Sequence, residues 1–506
     1  MPRSFGIDFG TTNTRIAFYD GQRALMVPFT DREGLRTHQI LTVVGYRNGI
    51  AAAFGADAYR GDYDTPKASL KWLAAEDTPV TIGREQKLPE DIICDFIKHL
   101  RAVVRKELVR KEMNAVNITV PVRYPYRARQ VLLRGIRKAG IDVEHVYQEP
   151  VAALYCYMEA RRTPGVAGVF DWGGGTLDVA IVRVDAGWAQ VLDVDGLRKG
   201  GEDFDRTIVD AALTDFLRGN LDLSISCDQI VRRVGHSLRL GAELVKIRLS
   251  QETTGRVLYR NLLPGRHLEY EVSREAFQSW IKYDIQSAIA CLQNSARRAR
   301  VDDGFLNPLL LSGGTSHVPA VQLAVRNAFG PGHVVAVLPG QEGLPLGAPE
   351  RDVANATAIG AAMLGMWNAQ PVFAKEIGIR TADAESTSDH FLPIFQRGDI
   401  INGHTVAASL FVSDASTGVA RILICDRLEP DIDPAGRLLR VLTIPIDRRE
   451  KWVNVSLSMD HHLVLKISAS GRIAAANSQE NACYIPNVAV GYAVPQPEAA
   501  NKSQEE

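Results

Sequence analysis

The sequence has few cysteines, and none of them form a local pair. Its six cysteines lie at least 58 positions apart in a chain of 506 residues, which excludes the Cys-x-x-Cys spacing of many zinc and redox sites. Disulfide frameworks are denser and occur in smaller chains. We therefore expect reduced, buried thiols in a cytoplasmic protein.

Long apolar runs and an excess of basic charge are also missing. The longest apolar stretch, residues 358–367, includes two glycines and is shorter than the roughly 20 residues that a membrane-spanning helix needs. Lys and Arg total 58 against 59 for Asp and Glu, whereas a nucleic-acid footprint normally shows as a strong basic excess. A locally basic stretch, residues 122–140, is interpreted as a solvated helix face. We expect neither a membrane nor a nucleic-acid partner.

Two widespread phosphate-binding motifs are absent as well. Neither Gly-x-x-x-x-Gly-Lys-Ser/Thr nor a Gly-x-Gly-x-x-Gly that opens a helix occurs. Instead, an apolar strand, an aspartate, one residue, a glycine turn and a threonine follow one another at residues 5–12 and again at residues 169–176. The two aspartates are 163 positions apart, which suggests two similar halves that face one ligand. Further glycine pairs follow at residues 200–201 and 313–314.

These turns are suited to a phosphate and a divalent cation. Glycines lack a Cβ atom, so backbone N–H groups can converge on an anion, and the following threonines add hydroxyl donors. Asp8 and Asp171 would repel a phosphate unless a cation lay between them, so the pair implies Mg²⁺, directly or through its waters. The four turns together predict a nucleotide site.

The order of elements predicts two architectures in succession. Short strands alternate with long helical patterns up to about residue 370, as in an α/β protein. From about residue 376 to 476, alternating segments separated by turns predict a small antiparallel β-sandwich. Residues 366–374 between them carry no charge, so this linker is expected to dock on a surface.

Six segments follow one another in an order that is specific to one protein family. They are Gly6-Ile-Asp-Phe-Gly-Thr-Thr-Asn-Thr14, Phe170-Asp-Trp-Gly-Gly-Gly-Thr-Leu-Asp178, Gly200-Gly-Glu-Asp-Phe-Asp205, Ala242-Glu-Leu-Val-Lys-Ile-Arg-Leu-Ser250, Ser312-Gly-Gly-Thr-Ser-His-Val-Pro319 and Ala356-Thr-Ala-Ile-Gly-Ala-Ala362. The series resembles the actin-like ATPase domain of the seventy-kilodalton heat-shock chaperones, the DnaK type.

The resemblance implies a duplicated actin-like fold, with two lobes around a nucleotide cleft, followed by a β-sandwich for extended peptides. The expected domains are the ATPase domain at residues 1–365, an apolar linker at 366–375, the sandwich at 376–486 and a disordered tail at 487–506.

The resemblance also implies a catalytic set. Lys71 matches the lysine that positions the attacking water and neutralises charge on the γ-phosphate, which is the main lever in phosphoryl transfer. Glu149 matches the glutamate that helps to orient this water. Thr176 would contact the γ-phosphate, with Asp178 close behind it. The implied catalytic residues are Lys71, Glu149, Asp171 and Thr176, and the residues that would hold hydrated Mg²⁺ are Asp8 and Asp171.

The nucleotide, ATP or ADP, would be held mainly by the glycine turns. Glu243 and Lys246 share one face of a helix and match family positions beside the ribose and the base. The family arginine that stacks on the base falls at His317, which has less area and no fixed charge, so weaker binding is expected. The implied nucleotide-binding residues are Gly10, Thr11, Thr12, Asn13, Gly173, Gly174, Gly175, Thr176, Gly200, Gly201, Glu202, Glu243, Lys246, Gly313, Gly314 and His317.

Other positions bear on regulation and partners. Pro121, Tyr124 and Arg129 match the family's proline switch and arginine relay, which couple the γ-phosphate site to the peptide domain. His145 falls where the family has the arginine that receives a J-domain co-chaperone, which argues against an ordinary J-domain partner. Only 30 residues follow residue 476, so we expect the family's helical lid to be missing and a bound peptide to dissociate quickly. The sequence of the peptide-binding half has diverged from the family pattern, so it identifies no residue of a peptide pocket.

The implied function is that of a lidless, chaperone-like ATPase that hydrolyses ATP slowly to gate a protein or peptide client, with divergence favouring one dedicated partner. Three alternatives stay open. An actin-like filament protein would have no use for a sandwich. A small-molecule kinase needs a base aspartate where this cleft has Lys71 and Glu149. A nucleotide sensor without turnover would not need the Lys71, Glu149 and Thr176 set.

Overall fold

The computed structural model describes residues 4–65, 69–108, 111–161, 165–185, 188–220, 225–302, 306–330, 334–335, 352–382, 389–428, 434–471, 482–486 and 488–493. Over these residues the chain is a mixed α/β protein, as the sequence predicts. Among them, no helix combines the length and the apolar character that crossing a membrane requires.

The first part of the α/β region is built on one sheet with helices beside it. Its strands are β1 (Ser4–Phe9), β2 (Asn13–Tyr19), β3 (Ala24–Met26), β4 (Phe29–Thr30), β5 (Arg36–Thr37), β6 (Ile40–Leu41), β7 (Val44–Arg47), β8 (Ile50–Phe54), β9 (Val80–Ile82), β10 (Glu85–Lys87), β11 (Ala115–Val120) and β12 (Asp142–Gln148). Its helices are α1 (Leu70–Glu76), α2 (Pro89–Glu107), α3 (Tyr126–Lys138) and α4 (Glu149–Arg161). The central sheet has the order β12-β11-β1-β2-β3, with β6 also paired to β2.

The second part repeats this organisation. Its strands are β13 (Gly165–Trp172), β14 (Leu177–Asp185), β15 (Trp188–Leu197), β16 (Thr254–Leu263), β17 (Arg266–Ser273), β18 (Leu306–Ser312) and β19 (Val334–Val335). Its helices are α5 (Gly201–Arg218), α6 (Cys227–Leu249), α7 (Arg274–Arg298), α8 (Pro319–Phe329) and α9 (Ala356–Met366). The central sheet begins with the order β19-β18-β13-β14-β15.

The two central sheets share one topology over five strands. β1 pairs antiparallel with β2 and parallel with β11, and β13 pairs in the same way with β14 and β18. The strands β3 and β15 extend the hairpin side, while β12 and β19 extend the parallel side. Asp8 and Asp171 consequently occupy equivalent places near the ends of β1 and β13.

Helices α4 and α9 connect the two sheets through a close crossing. α9 packs on β1, β2 and β11, whereas α4 contacts β13 and β14. Most of α9 is buried and apolar all round, as expected of a helix enclosed by other elements. At the crossing, a Cβ built on Gly360 overlaps the carbonyl of Ala152. The close approach of the two helices therefore requires glycine at position 360.

Eight of the ten strands described in the carboxy-terminal region form two four-stranded antiparallel sheets. Its strands are β20 (Gln370–Phe373), β21 (Glu376–Ala382), β22 (Asp389–Phe395), β23 (Thr405–Phe411), β24 (Val419–Arg427), β25 (Arg437–Pro445), β26 (Trp452–Met459), β27 (Leu465–Gly471), β28 (Ala482–Ile485) and β29 (Val490–Ala493). The two sheets have the orders β22-β21-β24-β25 and β23-β26-β27-β28. Alternate residues of β26 are buried, and buried side chains of both sheets belong to one apolar cluster.

The predicted disordered tail is wrong in its first part. β29 lies within residues 487–506, and it joins the second central sheet, whose full order is β19-β18-β13-β14-β15-β29-β20. The short run Val488-Ala-Val-Gly-Tyr-Ala493 has no polar residue, but four strand residues give little periodic signal. Its strand is stabilised by partners that are distant in sequence. Residues 494–506 lie outside the described part of the chain.

We predict that Gly360→Ala lowers the free energy of unfolding by about 3 kcal/mol, because the added methyl group overpacks the α4–α9 crossing. Gly241→Ala is the matched control, since a Cβ there meets no atom within 4 Å, and it should raise stability by up to about 1 kcal/mol. Urea unfolding of both variants checks the difference. A Gly360→Ala protein as stable as the wild type would contradict the proposed crossing.

Candidate functional site

The glycine turns converge at the ends of β1, β13 and β18 and at the start of α5. A Cβ on Gly174 would overlap the side chain of Thr12, so the turns of the two sheets are in contact. The hydroxyl of Thr12 donates to Glu202 Oε1 at 2.8 Å, and the N–H of Glu202 donates to the Gly174 carbonyl at 2.8 Å. Gly313 has a φ of 78°, and a Cβ there would overlap Trp172. Both its conformation and its surroundings therefore require glycine.

These turns line a cleft of about 890 Å³, a volume that includes solvent at its mouth and that suits a small-molecule ligand. Two residues of the sequence-derived set do not line it. Gly200 packs behind Gly174, and His317 lies outside, half exposed, with its Nε2 3.8 Å from Asp352 Oδ1. The sequence-derived residues that line the cleft are Asp8, Gly10, Thr11, Thr12, Asn13, Lys71, Glu149, Asp171, Gly173, Gly174, Gly175, Thr176, Gly201, Glu202, Glu243, Lys246, Gly313 and Gly314.

Two largely buried aspartates make this cleft strongly acidic. Burial raises the pKa of Asp171 to about 7, and the nearby Asp8 and Asp178 carboxylates add to the effect. Burial also raises the pKa of Asp8, although Arg15, 3.6 Å away, opposes this. Carboxylate oxygens are the ligands that Mg²⁺ prefers, and a cation would relieve the repulsion between these groups. The donor set therefore fits the expected magnesium ion.

Lys71 and Glu149 form a buried ion pair in the cleft. Lys71 Nζ donates to Glu149 Oε1 at 2.7 Å, and the side chains are only 4% and 10% exposed. Lys71 lies in the first turn of α1, where Ser69 caps the helix by accepting from the Trp72 N–H. Glu149 is the first residue of α4. Burial raises the pKa of Glu149 well above its usual value, and Lys71 partly offsets this.

The other end of the cleft is built on α5 and α6. Lys246 Nζ lies 2.7 Å from Asp205 Oδ1 and donates to the Gly201 carbonyl at 3.0 Å. Burial raises the pKa of Asp205 to about 7. An adjacent pocket of about 610 Å³ is lined by Glu243 and by residues from both halves, among them Tyr59. Glu243, which the sequence places beside the base, therefore borders a pocket between the two halves.

The sequence interpretation missed several residues of the cleft. Arg15 lies opposite Asp8 in the β1–β2 pairing, and the Thr357 hydroxyl donates to Asp171 Oδ2 at 3.3 Å. Pairing the residues on either side of the first turn as a hairpin could have placed Arg15 opposite Asp8. Thr357 lies inside the motif at residues 356–362, but no local pattern indicates that it faces Asp171. Gln39 and Ala354 also line the cleft without a sequence signal.

The predicted relay residues connect Lys71 to the carboxy-terminal sheets. The Tyr124 hydroxyl donates to the Lys71 carbonyl at 2.7 Å, and Arg129 Nε donates to the Tyr124 carbonyl at 2.9 Å. Arg129 is fully buried, and burial lowers its pKa to about 10, so it stays charged at neutral pH. Pro121 accepts from Arg129 at 3.4 Å. The carboxy-terminal acceptors of Arg129 are the carbonyls of His462, Leu463 and Pro486.

A second contact between these regions is a cluster of charges around Asp193 in β15. Asp193 is fully buried and lies 2.8 Å from Arg298 of α7 and 2.9 Å from Arg437 of β25. Lys375, just before β21, lies 3.5 Å from the same carboxylate. Such pairs hold β15, α7 and β25 in a fixed arrangement, because breaking one pair leaves the buried Asp193 charge with fewer partners.

The basic stretch at residues 122–140 includes the exposed face of α3. Arg134 and Lys138 lie 2.5 and 2.6 Å from Glu90, and Lys138 also lies 2.8 Å from Asp91. These charges are therefore paired with α2, which fits the solvated helix face that the sequence predicts.

A comparison with known protein families covers most of this cleft. A family model described as "Hsp70 protein" matches residues 42–350, which is well over half of the chain. The match spans Lys71, Glu149 and the three later glycine turns. The first turn and α9 lie outside it.

We predict that Asp171→Asn weakens ADP binding at least about tenfold in the presence of Mg²⁺, because a cation-holding carboxylate is lost. In EDTA the variant should bind ADP as well as the wild type or better, because a negative charge beside the phosphates is removed. Asp215→Asn, on the exposed face of α5, is the control. Calorimetry that shows equal losses with and without Mg²⁺ would contradict the metal assignment.

Proposed function

Since this chain belongs to the Hsp70 protein family, we propose that it is a cytoplasmic, chaperone-type ATPase that hydrolyses ATP slowly and uses the cycle to bind and release a protein or peptide client. The family membership supports ATP-dependent chaperone function and an actin-like ATPase domain. It lends no support to the filament-forming alternative.

The observation that carries the proposal is the buried Lys71–Glu149 pair among the glycine turns. The phosphates of ATP lie among these turns, where Lys71 neutralises charge that develops on the γ-phosphate. Glu149 accepts a hydrogen bond from the attacking water and so orients it. Thr176 contacts the γ-phosphate. Asp8 and Asp171 would hold Mg²⁺, which would supply further charge neutralisation.

The contacts of Tyr124 and Arg129 support coupling between hydrolysis and the client. Any shift of Lys71 on nucleotide binding reaches Tyr124 through its 2.7 Å hydrogen bond, and Tyr124 is in turn bonded to Arg129. The Arg129 guanidinium donates hydrogen bonds to main-chain carbonyls of the carboxy-terminal region. A buried guanidinium cannot lose these acceptors without another partner, so the two regions should change together.

In this proposal the two central sheets are duplicated lobes, and the two carboxy-terminal sheets form a β-sandwich that binds the client. The shared strand order of the central sheets supports the first point, and the contacts of β25 with β27 and β28 support the second. The described elements after residue 369 are all strands, so the proposed client-binding half is built on them.

The surroundings of His145 favour a partner other than an ordinary J-domain. Its Nδ1 lies 3.2 Å from Asn117 Oδ1, and its Nε2 lies 3.4 Å from Nε2 of Gln370 in the linker. Burial lowers the pKa of His145, so the ring is neutral at neutral pH. The family's exposed arginine cation is thus replaced by a half-buried neutral group, which offers no charge to a J-domain.

We predict that Lys71→Ala reduces the single-turnover rate of ATP hydrolysis at least about 100-fold, because the charge that stabilises the transition state is lost. Binding of ADP should change by no more than about twofold. Lys466→Ala, at an exposed position of β27, is the control and should match the wild type. Unchanged hydrolysis in folded Lys71→Ala protein would remove Lys71 from the catalytic set.

We predict that ADP-loaded protein retains client from a cell extract and releases it on addition of ATP. Arg129→Lys should keep the client but lose release, because lysine cannot span the same set of carbonyls. Arg127→Lys, two positions away and exposed, should behave as the wild type. Mass spectrometry identifies the released proteins, and equal retention with either nucleotide in the wild type would contradict coupling.

A further inference from the structure

The strand β29 lies inside the sheet that carries the second glycine turn. It is hydrogen-bonded to β15 on one side and to the linker strand β20 on the other. Residues 490–493 pair with residues 370–373 over the whole of β20, and Tyr492 pairs with Ala189 of β15. The linker strand β20 is therefore joined to this sheet by its pairing with β29.

Tyr492 makes the contacts that fix β29 in this sheet. It is fully buried, and its ring lies 5.0 Å from that of Tyr147 and 6.4 Å from that of Tyr155. The Tyr155 hydroxyl donates to the Tyr492 carbonyl at 3.0 Å. The strand is thus fixed at this residue by its backbone as well as by its ring.

The Tyr492 hydroxyl reaches the backbone directly before Glu149. It accepts from the Gln148 N–H at 3.1 Å. The buried Gln148 side chain donates from Nε2 to the Val488 carbonyl at 3.2 Å. Gln148 is the last residue of β12, and Glu149 is the first of α4. Both the main chain and the side chain of Gln148 are therefore held by residues 488–492.

These contacts bear on the orientation of Glu149. Glu149 must keep its carboxylate 2.7 Å from Lys71 Nζ, and its backbone direction follows from that of Gln148, the preceding residue. The Gln148 N–H belongs to the peptide between Tyr147 and Gln148, and a buried N–H that loses its acceptor finds another only if its peptide moves. A displacement of about 1 Å at a catalytic group can cost about 100-fold in rate.

We propose that Tyr492 is a positioning residue for ATP hydrolysis: through its hydrogen bond to the Gln148 N–H, it fixes the start of α4 so that Glu149 remains paired with Lys71. The inference rests on the proposed ATPase function. It makes the carboxy-terminal strand a part of the hydrolysis machinery, by a route that does not use Arg129.

The test compares Tyr492→Phe with Tyr484→Phe in the full chain. The first change keeps the buried ring and removes the acceptor for Gln148. The second removes a hydroxyl from the partly exposed Tyr484, whose ring stacks on Tyr126. Tyr492→Phe should lower the single-turnover rate about tenfold and leave the ADP dissociation constant within about twofold, whereas Tyr484→Phe should change neither.

A second variant decides the question if Tyr492→Phe does not fold. Tyr155→Phe loosens the strand at the Tyr492 carbonyl without altering the Tyr492 side chain, and it should lower the rate about threefold. Circular dichroism melting with bound ADP establishes the folded fraction of each protein, to which the rates are normalised.

The outcomes separate this inference from the proposed function. No hydrolysis by the wild type would overturn both. Hydrolysis by the wild type with an unchanged rate in Tyr492→Phe, or in Tyr155→Phe where Tyr492→Phe is unfolded, would overturn the positioning role alone. A parallel loss of rate and of ADP affinity would indicate a purely structural role, and it would overturn the inference as well.

Discussion

The structure depends on keeping several carboxylates buried around one lysine. Burial raises the pKa values of Asp8, Asp171, Asp178 and Glu149, and Lys71 opposes this rise at Asp8, Asp178 and Glu149. Buried like charges cost folding free energy, and proteins retain such conflicts mainly where function uses them. Much of the surrounding architecture, including the paired turns and the close α4–α9 crossing, brings these groups into one cleft and holds them there.

The glycine turns and the two aspartates of the cleft could be predicted because their motifs are local, and the equivalent topology of the two sheets brings the strand ends that carry them together. Lys71, Glu149, Glu243 and Lys246 followed only from the family resemblance. His317 is the exception among the side chains, since it lies outside the cleft beside Asp352. Arg15 and Thr357 were missed because their positions depend on hairpin register and helix packing, which single residues do not reveal.

The strands of the α/β region and of the carboxy-terminal sheets follow from alternation and turn residues. The place of β29 does not. Its four residues pair with strands far away in sequence, so local propensity carries almost no information about it. The charges around Asp193 share this property, because α7, the linker and β25 each contribute one cation. Contacts between the α/β region and the carboxy-terminal region are thus the hardest to predict from the sequence.

The position of β29 also bears on biosynthesis. Residues 370–373 leave the ribosome 120 positions before residues 490–493, which corresponds to about 6–24 s at about 5–20 residues per second. Throughout this interval β20 lacks its neighbour β29 in the sheet, and the Gln148 N–H lacks the Tyr492 hydroxyl as its acceptor. A nascent chain can therefore assemble the cleft before β29 pairs with β20. The timing of translation thus separates the formation of the cleft from the formation of this strand pair.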